Sequence, residues 1–128
     1  MPDAFVNVRY MVDDVEAAIA WYTQHLGFEV ISSAAPAFAD VKRGSLRLLL
    51  SGPKSSAGRP MPDGEQPKPG GWNRIHLVVD DLEAEVARLR AAGVRFPGAP
   101  EPQSWGGLLA TLRDPAGNEI QLVQYPAN

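Results

Sequence analysis

The chain has 128 residues, 45% of them hydrophobic and 21% charged, which suits one ordinary soluble domain spanning 1–128 with a core that needs no staples. A net charge of -3, with Lys and Arg scattered through the chain, excludes an electrostatic footprint for nucleic acid or anionic lipid. No apolar run approaches the roughly 20 residues of a membrane span, the start MPDAFVNVRYMV lacks a secretory pattern so that a cytoplasmic location is expected, and the absence of Cys removes disulfides, thiolate nucleophiles and Cys-based zinc sites.

Alternation of Val6, Val8, Tyr10 and Val12 predicts a first strand whose other face carries Asn7, Arg9 and Met11. A helix follows from Asp13, which with Glu16 has capping-box spacing. Steps of three and four bury Val15, Ile19, Tyr22 and Leu26, with Trp21 also in the core, and Gly27 ends the helix as a left-handed cap. His25 sits in the last turn, where it favours the helix dipole. Three strand-like runs come next, FEVIS, AFADVK and SLRLLLS. Burying Leu46, Leu48 and Leu50 under the helix turns Arg47 and Leu49 to the opposite face.

The stretch SGPKSSAGRPMPDGEQPKPGG holds five Pro and five Gly in 21 residues and is expected to form no regular structure. It supplies a linker, 53–72, between module one, 3–52, and module two, 73–126. The second module repeats the first: IHLVVDDLEAEVA (75–87) over VRYMVDDVEAAIA (8–20) gives an offset of 67, 6 identities in 13 positions and five further apolar matches. Its strand alternates through Ile75, Leu77 and Val79, its helix starts at Asp80 and buries Leu82, Val86 and Leu89, and Gly93 closes it. The strands VRF, LLATLR and NEIQLVQ complete the copy, with a Pro/Gly-rich loop, PGAPEPQSWGG, after the first of them. In the turn RDPAGN, Asp114 and Pro115 start the reversal and Gly117 with Asn118 supplies positive-φ positions. The fold class is therefore α+β, two tandem βαβββ modules.

The stretches WYTQHLGFEV, VDDLEAEVARLRAAGV and LRDPAGNEIQLVQ, in this order around a repeat, resemble the vicinal-oxygen-chelate superfamily of glyoxalase I, extradiol dioxygenases and bleomycin-resistance proteins. The resemblance covers nearly the whole chain. It implies two modules curled into a mixed sheet around a concave groove, usually in a homodimer. It also implies where the enzymes of the family hold a divalent metal: His or Gln on the first strand of each module, and Glu on the last strand of one or both. Here those positions fall on Asn7 and Arg74, within LRLLL (46–50), and on Gln121. Arginine has no free lone pair and stays protonated, so a cation beside Arg74 meets repulsion. Neither a metal nor any other cofactor is expected. A lone His76 without a converging carboxylate reads as a hydrogen-bonding residue.

The groove-facing set then reads as a binding wall: Asn7, Arg9, Arg47, Leu49, Arg74, His76 and Gln121, with Phe38, Trp72 and Trp105 as aromatic neighbours. The two loop tryptophans either cover a ligand or pack on the chain's own ends or on a dimer partner. The segment SWGGLLATLRDPAGN is similar to the part of bleomycin-resistance proteins that carries Trp-Gly before the last hairpin. The resemblance implies metal-independent sequestration of an aromatic small molecule, an antibiotic, by a homodimer with grooves at or near its interface and without catalytic residues. The alternative is a glyoxalase-like lyase or isomerase, or a dioxygenase-related enzyme, using Glu119 or His76 as a base. A third class, a regulatory domain docking another protein, has no residue pattern in its favour.

Overall fold

The computed structural model describes residues 5–127. The expected starts of module one at residue 3 and of the domain at residue 1, and the domain's end at residue 128, lie outside these. The elements run β1 (Val6–Met11), α1 (Val15–His25), β2 (Glu29–Ala34), β3 (Phe38–Arg43), β4 (Leu46–Ser51), β5 (Arg74–Val78), α2 (Leu82–Ala91), β6 (Glu101–Pro102), β7 (Leu108–Arg113) and β8 (Glu119–Gln124). This is the expected α+β fold of two βαβββ modules. The chain divides into two compact units, the first running to Gly70 and including the turn Asp114–Asn118, the second holding Gly71–Arg113 and the chain from Glu119. Among the described residues no helix is long and apolar enough to cross a membrane.

In the first unit the sheet order is β1-β4-β3-β2, with β1 parallel to β4 and the other neighbours antiparallel. The second sheet, β5-β8-β7-β6, repeats the scheme with β5 parallel to β8. A parallel neighbour needs a crossover, and α1 and α2 supply it, packing on β3 and β4 and on β7 and β8 respectively. The apolar face of each helix meets the apolar face of its sheet. Val15, Ala18 and Tyr22 cover Val41, Leu48 and Leu50 in the first unit; Leu82, Val86 and Leu89 cover Leu112, Ile120 and Leu122 in the second. Each Val, Leu or Ile among these contributes about 1.5–3 kcal/mol through removal from water, and the single methyl of Ala18 less.

Several expectations are corrected. The helix caps are the second aspartates of the DD pairs: Asp14 accepts from the Ala17 N–H and Asp81 from the Ala84 N–H, both at 3.1 Å. Three residues after each cap stands Ala, so the reciprocal half of a capping box is missing. Asp81→Ala is expected to cost about 1 kcal/mol in urea unfolding, and Asp80→Ala under about 0.5 kcal/mol. Equal losses would restore Asp80 as the cap. Ile19 and Trp21 are half-buried, because the small Ala18 takes the inward position between Val15 and Tyr22. The run VRF is not a strand; Val94 is buried just after Gly93 (φ 90°), its N–H donating to the Leu89 carbonyl at 2.9 Å, and the edge strand forms later, as Glu101–Pro102. The linker contains one 3-10 turn, Ser56–Gly58. In the DPAGN turn only Gly117 has positive φ, 89°; Asn118 does not, because its backbone already belongs to the turn closed by Asp114.

Candidate functional site

The second unit builds its site from strand register. Across β5, β8 and β7 the ladder aligns Arg74, Glu119 and Arg113 in one row, then His76, Gln121 and Thr111 in the next. Alternation puts both rows on the face away from α2, since Ile75, Leu77, Ile120 and Leu122 fill the helix side. Glu119 is buried, with its carboxylate 4.0 Å from Arg113 Nε, so a negative group lies between two guanidinium-bearing positions. Gln121 Nε2 donates to Thr111 Oγ1 at 3.2 Å, which fixes the amide and leaves its carbonyl oxygen to accept from a ligand.

A cleft of about 340 Å³ opens over these rows, lined by Trp72, Arg74, Leu109, Thr111, Glu119 and Gln121 and walled by Pro97–Ala99. That volume falls at the small end of the range for small-molecule sites, roughly 300–1,000 Å³. Trp72 is 82% exposed at its edge, an indole held in water where one face is free to stack. Of the expected binding residues, Trp72, Arg74 and Gln121 therefore come together. His76 is exposed and does not line the cleft. Trp105 lies elsewhere, its ring 5.6 Å from that of Tyr125.

The other expected residues belong to the first unit. Arg9 and Phe38 line a separate cleft of about 350 Å³ with Ser51, Lys54, Ser55 and Ser56. Asn7 is exposed on β1 and pairs in register with Arg47. Arg47 is held: its guanidinium donates to Asp40 Oδ2 through Nε at 2.7 Å and lies 2.6 Å away through Nη2. Leu49 separates Arg9 from Asp40 in the ladder. Asp40 is an acid on the polar face that the sequence reading did not single out. It is fully buried on β3, and the Ser32 hydroxyl also donates to it. Burial, the largest influence on this carboxyl, works to raise its pKa; the Ser32 hydrogen bond and the Arg47 guanidinium outweigh it and hold the group below the ordinary carboxylate value.

Sequence reasoning did not single out Leu109, Thr111, Arg113 or the 97–99 wall. Alternation within LLATLR put the first three on one face, but their place opposite Val123, Gln121 and Glu119 depends on register, which one strand alone does not reveal. The residues do not fit a divalent metal centre. Arg74 offers only donors, Gln121 one neutral carbonyl already oriented by Thr111, and among the described residues no three His, Cys, Asp or Glu side chains converge.

A family description, Glyoxalase/Bleomycin resistance protein/Dioxygenase superfamily, matches residues 4–122. The bleomycin resistance protein of Klebsiella pneumoniae is 35% identical over 60 residues, 41% of this chain and 48% of that one. The antibiotic binding protein TnmS3 of Streptomyces sp. CB03234 superposes with a TM-score of 0.72 at 29% identity, covering 96% of this chain and 95% of its own. Lactoylglutathione lyase of Agrobacterium tumefaciens has a TM-score of 0.73 at 24% identity over 96% of this chain and 94% of its own, a likeness of fold.

Proposed function

Because the chain belongs to the glyoxalase/bleomycin resistance protein/dioxygenase superfamily, we propose that it binds and sequesters an aromatic small molecule, an antibiotic, without metal, in the cleft of its second unit. The observation that carries this reading is the pairing of a free indole face, Trp72, with a floor of oriented hydrogen-bond groups, Gln121 and Thr111. A planar ligand stacks on the indole while Arg74 and the Gln121 carbonyl fix its polar edge. The relatives named as bleomycin resistance and antibiotic binding support the ligand class. The reading includes a cytoplasmic homodimer.

Calorimetric titration against bleomycin-type, enediyne and anthraquinone compounds tests it. At least one is expected to bind saturably, and Trp72→Ala is expected to weaken that binding by about 0.5–1.5 kcal/mol, roughly two- to twelvefold. No binding across the panel, or full affinity in the variant, defeats the proposal. One observation favours a second reading, a lyase or isomerase: Glu119 is a carboxylate in the cleft, where a general base would stand. Turnover of the methylglyoxal hemithioacetal with added nickel or zinc, abolished in Glu119→Gln, would establish that reading instead.

A further inference from the structure

We propose that the separate cleft of the first unit, between Arg9 on β1, Phe38 on β3 and the segment after β4, binds an oxyanion group (carboxylate, sulfate or phosphate) carried on a small apolar or aromatic body. Ser51 supplies the first observation. It is fully buried at the end of β4, lines this cleft, and its hydroxyl has no hydrogen-bond partner among the described residues. A buried hydroxyl without a partner is unfavourable, so one that persists on a cleft wall points to a group that fills the vacancy. Nearby Ser55 shows the contrast: its hydroxyl donates to the Gly52 carbonyl at 2.7 Å and is satisfied within the loop.

Charge supplies the second observation. Arg9 and Lys54 both line the cleft, and among the described residues neither has an ion pair or side-chain hydrogen bond. The acid on the same face, Asp40, is answered by Arg47 and Ser32, so the cleft's own balance is positive. Phe38, Ala37 and Ala57 supply an apolar wall. At about 350 Å³ the space is roughly ten times the ~30 Å³ share of one liquid water, far more than a bare ion needs. The chemistry therefore sorts itself: Ser51 donates to one anion oxygen, Arg9 and Lys54 neutralise the charge, and the ring or alkyl body lies against Phe38. No residue is shared with the second-unit cleft, so the failure of one proposal leaves the other intact.

Phenyl phosphate, benzoate, benzyl alcohol and inorganic phosphate, titrated separately into the full chain by calorimetry, test the site. Phenyl phosphate or benzoate is expected to bind saturably, more weakly as salt is raised, while benzyl alcohol and inorganic phosphate bind at least about tenfold less tightly. Arg9→Gln and Lys54→Gln are each expected to lose about tenfold in affinity. Ser51→Ala is expected to lose several-fold in affinity while its thermal midpoint holds or rises, because the substitution removes an unsatisfied hydroxyl. Benzyl alcohol binding as tightly as its anionic counterparts, unchanged affinity in both charge variants, or no saturable binding overturns the proposal. A fall in the Ser51→Ala midpoint with unchanged affinity overturns it as well, by making the hydroxyl structural.

Discussion

Asp114→Ala is expected to lower the thermal midpoint by roughly 10–20 °C, from a loss of about 3–4 kcal/mol at about 3–5 °C per kcal/mol. Asp114 is only 5% exposed yet accepts four hydrogen bonds. Oδ1 takes the Ala116 N–H at 2.9 Å and the Asn118 N–H at 2.8 Å; Oδ2 takes the Tyr22 hydroxyl at 2.8 Å and Asn118 Nδ2 at 3.0 Å. Asn118 extends the network, donating to the Met11 carbonyl at 2.7 Å and accepting from the Gly70 N–H at 2.9 Å. Removing the carboxylate strands several donors at once, including a Tyr22 hydroxyl that is fully buried. Burial first, and then the charge of Asp114 beside it, push the Tyr22 pKa far upward, so the phenol stays a donor at every accessible pH. Tyr22→Phe is expected to cost less, about 1–2 kcal/mol, since Asn118 still serves Oδ2. Calorimetric melts decide the matter. A midpoint within a few degrees of the parent protein for Asp114→Ala would mean that the turn is held by Gly117 and packing alone.

That network marks the boundary of what the sequence discloses. The two βαβββ modules were legible because they repeat: the same alternation, DD pair, apolar helix stripe and closing glycine occur twice at a fixed offset. The turn RDPAGN was legible as a turn from its local chemistry. What Asp114 and Asn118 do beyond the turn was not, because Tyr22 stands 92 residues from Asp114 and Met11 stands 107 from Asn118, and no local rule joins them. The choice of Asp14 and Asp81 over their neighbours as caps likewise depends on where each strand lets go of the sheet. Both aspartates of each pair carry the needed side chain.

The candidate sites divide along the same line. The faces of Arg9, Arg74 and Gln121 were read from alternation, whereas Phe38 was placed only as an aromatic neighbour. Which residues remain available followed from register. Asp40 and Arg47 carry opposite charges on neighbouring antiparallel strands, and only the alignment Asp40↔Leu49 and Lys42↔Arg47 brings that carboxylate within reach of the guanidinium. The pairing anchors Arg47 to Asp40, while among the described residues Arg9 and Lys54 have no ion pair.

Arg47→Met is expected to destabilise the protein by about 2–3 kcal/mol near neutral pH and by less as pH falls. A buried ion pair broken on one side typically costs about 3–5 kcal/mol; the Arg47 side chain is 37% exposed, so water screens part of the interaction and the lower figure applies. In the parent protein the folded-state pKa of Asp40 lies below its ordinary 3.8, so its contribution is fully present above that value and is lost as pH falls through the folded value. Without Arg47 burial is opposed only by the Ser32 hydrogen bonds, so the carboxyl pKa of Asp40 rises from its value in the parent protein. The variant therefore loses most relative to the parent where Asp40 is charged, and the loss diminishes as the carboxyl is protonated. Urea unfolding from neutral pH to about pH 4 measures the difference between the two proteins, which is expected to shrink steadily on acidification. The double variant Asp40→Asn with Arg47→Met is expected to regain most of the loss at neutral pH, because no buried charge is left unpaired. A constant gap across the pH range, or no recovery in the double variant, would show that Arg47 stabilises the sheet by packing its methylenes and not by answering Asp40.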